Sequence, residues 1–190
     1  MFMYYLNHNN QKRDDEGIAA ILPVYIKEVG DTTELIEYDG KRRTLYTTIN
    51  SVINKLIGLF SLNITTLREK YNDIIYQKKT PPLPLSENLI LIPFKVRRPE
   101  VKGDPTYGYI NYKCIENYER AGKHSKLLLT NGIEIPLKQS LATTQKNIIH
   151  ARLIANEMEL KKHRDTAELV EEILTKKSDP SKEDNETTES

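Results

Sequence analysis

Apolar residues recur at helical spacing in one clear place. Ile49, Val52, Ile53, Leu56, Ile57 and Phe60 fall at i, i+3, i+4, i+7, i+8 and i+11, one stripe of an amphipathic helix capped by Thr47 or Thr48. Lys55 and Asn54 lie off that stripe. A second helix is expected from Thr66, which stands in capping-box spacing to Glu69, with Leu67, Tyr71, Ile74 and Ile75 as its buried face. Before these helices the pattern is that of strands. Residues 17–23 form an apolar run ending at Pro23, and 24–29 continue it past a kink. Residues 32–38 read as a strand, Asp39-Gly40 as a hairpin turn and 43–48 as the returning strand. The first fifty residues therefore predict a small antiparallel meander.

The central stretch, residues 80–113, is punctuated by proline. Pro81 and Pro82 open it, and Leu89-Ile90-Leu91-Ile92 makes a short apolar run expected to stop at Pro93, because proline has no N–H for a central ladder. A basic loop with Lys95, Arg97, Arg98 and Lys102 leads to an aromatic strand, 107–111. Residues 114–118 extend as strand, and 119–126 read as a turn. Residues 126–130 and 133–137 flank Asn131-Gly132, the favoured pair for a two-residue hairpin turn, and Pro136 puts the second strand at an edge or ends it. A long helix is expected over 139–164, with Ile148, Ala151, Ala155 and Met158 as one ridge and Ile149, Leu153 and Leu160 beside it. Lys161, Lys162, His163 and Arg164 would crowd its last turn, where cations suit the helix dipole. Asp165 then opens a separate short helix, 165–177, with Leu169, Val170, Ile173 and Leu174 as its stripe. The fold class expected is α+β: antiparallel sheet and hairpins, two central helices and a long C-terminal helix.

Length and charge sharpen this picture. At 190 residues the chain fits one domain with tails. Residues 1–16 read as a flexible arm and 178–190, without an apolar residue, as a disordered acidic tail. The net charge of +1 hides an asymmetry. From Asp165 onward nine acids face three lysines, −6, which leaves 25 basic and 18 acidic residues, +7, in 1–164. A basic body with an acidic tail fits a nucleic-acid binder, but charge alone favours the plainer reading, a modest positive balance without a partner implied. No run of about 20 apolar residues exists to span a membrane, and one cysteine, Cys114, makes no internal disulfide, so a cytoplasmic protein is expected.

Candidate chemistry is sparse. The eight glycines form no phosphate-cradling loop, and the four histidines are scattered without cysteine partners at zinc-ligand spacing. Cys114 has no histidine nearby in sequence, and its neighbours suggest a half-buried strand position. Neither an enzyme nor a metal or cofactor is expected.

The central stretch resembles the ComK family, the bacterial competence transcription factors. The likeness rests on Thr80-Pro81-Pro82, then Leu91-Ile92-Pro93-Phe94, the loop 95–106 and Tyr109-Ile110-Asn111. It continues in Asn131-Gly132 with Ile133-Glu134-Ile135-Pro136-Leu137 and in a helix carrying Gln145 and Arg152. Spacing is kept over about residues 49–154, with a weaker echo at 17–23. There are departures. The family's arginine-serine-cysteine and phenylalanine-tyrosine-glycine block stands here as Lys55-Leu56-Ile57 and Leu59-Phe60-Ser61. The lysine before the prolines is Thr80, beside Lys78 and Lys79, and the tryptophan is Tyr109. A divergent paralogue is one way to read them.

The resemblance implies a ComK-like DNA-binding domain over residues 17–164. It implies a transcription activator of DNA-uptake genes, a homodimer or dimer of dimers on A/T-rich promoter boxes, read through the minor groove in the nucleoid. It also implies regulated turnover by an adaptor and protease. Narrow A-tracts attract arginine and lysine, so such a protein needs cations on turns and helix ends rather than a reading helix. Lys55, Arg68, Lys70, Lys78, Lys79, Lys95, Arg97, Arg98 and Lys102 lie on such elements, and Pro99 stiffens the loop beside Arg97-Arg98. The degraded central block supports an alternative: a protein-interaction module that modulates a ComK-like paralogue without binding DNA itself.

Overall fold

The computed structural model describes residues 17–63, 66, 69, 71, 81–99 and 103–177. It is α+β, with one antiparallel sheet of six strands, one of three, and helices that include a long C-terminal one. The first sheet runs β3-β2-β1-β6-β5-β4, built from β1 (Ile18–Ile26), β2 (Gly30–Glu37), β3 (Arg42–Leu45), β4 (Leu83–Pro84), β5 (Ile90–Lys95) and β6 (Tyr107–Asn111). The second runs β7 (Ile115–Ala121), β8 (His124–Leu129), β9 (Glu134–Leu137).

Helix α1 (Ile49–Leu59) is the stripe the sequence predicts. Thr48 caps it by accepting from the Ser51 N–H, and Ile49, Val52, Ile53, Leu56 and Ile57 are buried. They join Ile21, Leu35 and Leu91 of the first sheet, and Leu89 just before β5, in one core. Strand alternation puts Ile36, Ile90, Ile92, Phe94 and Ile110 on the other face, where all five are also fully buried. The sheet is therefore covered on both sides. The meander is as expected, and its β2–β3 turn is a three-residue loop: Gly40 N–H donates to Glu37 O at 3.0 Å and Gly40 takes φ +86°.

Several expectations are corrected. The run at Pro93 does not stop there, and the run at Pro23 does continue past it. β1 continues through Pro23 to Ile26, and β6 pairs with β1 at Ala20 and Ile21, so past them β2 is its one partner strand among the described residues. β5 passes through Pro93 to Lys95 with Pro93 opposite Tyr109. Within a strand one residue's N–H and C=O point to the same side. Pro93 O accepts from Asn147 Nδ2 at 3.2 Å, so the missing N–H also faces that edge, away from β6, where no ladder bond is lost.

The stretch 119–126 is not a long turn. β7 runs to Ala121, β8 starts at His124, and only Gly122-Lys123 turn between them. The misreading came from polarity: β7 is an edge strand whose side chains are mostly exposed. Cys114 sits in a 3-10 turn rather than a strand, and it is buried. At Asn131-Gly132 the hairpin loop has three residues, with Leu129 N–H bonded to Ile133 O and Gly132 N–H to Leu129 O. Pro136 lies in β9, an edge strand as expected. Of the second predicted helix, Thr66, Glu69 and Tyr71 are described and helical; the Thr66 N–H is capped by Asn63 Oδ1 at 3.4 Å, so the cap sits three residues before Thr66.

The C-terminal region is one helix, α2 (Leu141–Lys177), not two. Ser140 caps it through the Thr143 N–H. Asp165 opens no new helix; Thr166 instead bonds back to Lys162 O at 2.8 Å inside a continuing one. Lys161 to Arg164 are therefore mid-helix, and the dipole role expected for them falls away. Compact units divide at Ala155/Asn156. In the first unit α2 buries Thr144, Asn147, Ala151 and Ile154, while Ile149 and Leu153 are exposed. In the second, residues 161–175 are all exposed. The predicted arm, 1–16, and tail, 178–190, lie outside the described residues. No helix among the described residues is long and apolar enough to cross a membrane.

Asn111, fully buried, ties three segments together. Its Nδ2, with two N–H groups, lies within hydrogen-bond distance of three acceptors: Ile18 O at the β1 bulge (3.1 Å), Asn88 O (2.8 Å) and Tyr38 Oη (2.8 Å). Asn111→Ala should lower unfolding free energy by about 1–3 kcal/mol, since it strands buried acceptors. Lys113→Ala, at an exposed position, should leave it within about 0.5 kcal/mol. Urea denaturation of the two variants checks this.

A candidate nucleic-acid interface

The outer face of the small sheet is polar by alternation. Ser125, Leu127 and Leu129 of β8 point inward and are buried, which leaves His124, Lys126 and Leu128 outward. Charge on that face changes along the strand. At Lys126 it is neutralised: Nζ contacts Glu119 at 2.9 Å and Glu134 at 2.7 Å on the flanking strands. One step further, at His124, it is not. Lys138 lies one residue past the Ser125–Leu137 pair, which sets it across from His124. Lys123 is in the adjoining turn, and Arg98 arrives from the β5–β6 loop. The imidazole is held below its usual pKa by desolvation, then by the fields of Lys123, Lys138 and Arg98.

Lys95 belongs to the same end of the molecule, because its carbonyl accepts the Lys138 N–H at 2.6 Å. Four cations from three separated segments thus gather at one end of the small sheet. Among the described residues none of Lys95, Arg98, Lys123 and Lys138 is in an ion pair. A concentration of unpaired cations beside a neutral histidine suits a polyanion, which relieves the mutual repulsion on binding.

The other sequence-predicted residues fare differently. Arg97 is drawn inward: its guanidinium pairs with Asp31, its Nε donates to Pro105 O at 2.7 Å, and its side chain is 17% exposed. It organises the loop that carries Arg98 and is committed to that task. Lys55 stands on the exposed face of α1 and is not among the charges acting on His124. Arg68, Lys70, Lys78, Lys79 and Lys102 lie outside the described residues. Sequence reasoning missed Lys123 and Lys138. A lysine in a polar segment and another after a strand carry no signal until the β8–β9 register sets them together.

Cys114 is a poor nucleophile here. Burial pushes its thiol up to about 11, only partly offset by a hydrogen bond with Tyr38. Among the described residues no group of three or more His, Cys, Asp or Glu side chains is placed to hold a metal ion. Compared with family models, with curated proteins and with solved structures, the chain matches none.

Two outcomes are expected. His124 should titrate below 6.5 by NMR, rise toward 6.5 in Lys123→Ala with Lys138→Ala, and rise when a polyanion is added. A lowered folded pKa means that the unfolded chain binds more protons as pH falls through 6.5, so this group's contribution to stability is present above 6.5 and is lost on acidification. Cys114 should resist alkylation at pH 8 in the folded protein and react fully once unfolded, read by mass spectrometry.

Proposed function

We propose that this protein is a DNA-binding regulator that grips the duplex with the cations around His124. The supporting observation is the convergence of Lys95, Arg98, Lys123 and Lys138, without an ion pair among the described residues, at one end of the small sheet. Together with the resemblance to ComK, this reads as a transcription activator of DNA-uptake genes. It would act in the cytoplasm on A/T-rich promoter boxes as a homodimer or dimer of dimers. The cations stand on turns and strand ends, which suits phosphate and minor-groove contact better than major-groove reading by a helix.

A second reading has its own observation. Arg97, the residue beside Arg98 in the basic loop, is sequestered by Asp31. A chain that has turned part of its basic loop to structural use fits a module that modulates a ComK-like paralogue without holding DNA.

Fluorescence anisotropy with an A/T-rich duplex separates the two. The DNA reading predicts a slope of log affinity against log salt of about −3 to −4 per protomer if all four cations neutralise phosphate. Arg98→Ala with Lys138→Ala should reduce that slope by about 2. Arg97→Ala should instead cost about 1–3 kcal/mol of stability and reduce the slope by about 1 at most, through the loop that carries Arg98. No binding at low salt would overturn the DNA reading.

A further inference from the structure

In the second unit α2 leaves large apolar side chains in water. Leu160 is 58% exposed, Val170 50% and Leu174 63%. Isolated helices with such a face are marginal in water, and tertiary packing ordinarily supplies their stability. The exposed residues are not scattered. Counted in sevens, Leu160, Ala167 and Leu174 share one position, a, and Asn156, His163 and Val170 share the other core position, d. The count extends back along the helix, where Leu153 is a and Ile149 is d, both exposed. Leu169 falls at c, off this seam, and Ile173 at g, on its flank. A seam with a 3.5-residue repeat is what a two-stranded coiled coil buries.

The flanking charges say what the partner is. In a parallel coiled coil the g residue of one helix faces the e residue five positions on in its neighbour. Glu159 is at g and Arg164 at e; Arg152 is at g and Glu157 at e. Two copies of this helix in parallel register therefore set Glu159 against the partner's Arg164, and Arg152 against the partner's Glu157, each twice by symmetry. Within one chain Arg164 already contacts Glu157 at 3.3 Å, which shows both heads reaching along this flank. Asn156, polar at a core position, faces only another Asn156 in this register and penalises others.

We infer that the exposed seam of α2 is the contact through which two copies of this chain pair, as a parallel, in-register coiled coil. The inference rests on the heptad and its charges and stands apart from the DNA reading: a dimer that binds no DNA leaves it intact. Polar Asn156 and His163 in the seam make a moderate, reversible dimer rather than an obligate one.

Light scattering on the full chain should give a dimer. Leu160→Lys with Leu174→Lys should give a monomer with unchanged near-ultraviolet tyrosine signal, since both side chains face solvent. Glu159→Arg should weaken the dimer about 3- to 10-fold, and Glu159→Arg with Arg164→Glu should restore it. Asn156→Cys and Val170→Cys, each alone, should cross-link under mild oxidation. A monomeric native chain overturns the inference. So does a dimer that survives the two lysines. Cross-linking only when Asn156→Cys chains are mixed with Val170→Cys chains would mean an antiparallel pair and overturns it as well.

Discussion

One edge of one strand holds the described fold together. β4 closes that side of β5 at Ile90 and Leu91 and then ends. Beyond it, β5 would face the interior with bare polar groups, and each buried unpaired group costs about 1–3 kcal/mol. Three residues, from α2 and the connection before it, supply the partners. Pro93 offers only a carbonyl, met by Asn147 of α2. Lys95 offers both groups: its N–H goes to Gln139 Oε1 at 2.9 Å and its carbonyl to the Lys138 N–H. Gln139 is itself held, with its Nε2 on Thr144 Oγ1 and its carbonyl on Ser125 Oγ. Ser125 and Thr144 close the ring at 2.8 Å. This small buried network joins the six-stranded sheet, the three-stranded sheet and the first turns of α2. A second tie at the other end, Asn131 Nδ2 to Glu37 O at 3.1 Å, sets the β8–β9 loop against the β2–β3 loop.

That network also places the candidate site. Because Lys95 and Lys138 are joined backbone to backbone, the end of β5 and the end of β9 cannot separate. Arg98 is three residues beyond Lys95, and His124 is across from Lys138, so the cations share one end by construction. Arg97 contributes differently, fastening its loop to Asp31 and Pro105 so that Arg98 projects from a fixed base. Of two adjacent arginines, one became scaffold and the other surface. The distinction between Lys126, clamped by two carboxylates, and Lys123 and Lys138, which hold none among the described residues, is of the same kind.

The hydrophobic pattern alone determined a good deal. It marked α1 with a cap at Thr47 or Thr48, the β2–β3 and β8–β9 hairpins with their glycines, Pro136 at the edge or end of its strand, and the α+β class. Each of these is a local matter: side-chain period, one cap or one positive φ, decided within a few residues of chain. What the pattern misplaced was decided by partners far away in sequence. Pro93 looks like a stop, yet a proline ends a strand only if its absent N–H faces a ladder, and the strand's neighbours settle that. The last residues of β7, 119–121, look like a turn because edge strands are free to be polar. The buried ridge of α2 was seen only in part: Ala151 was on the expected ridge, whereas Thr144 and Asn147 are inside for their hydrogen bonds rather than their apolar surface. The candidate site followed the same division. Arg98 was legible as a charged loop residue, whereas its companions Lys123 and Lys138, and the withdrawal of Arg97, needed the register of the strands. Electrostatic proximity is a property of the folded chain: charges far apart in sequence act on one another only after backbone pairing has set their separation.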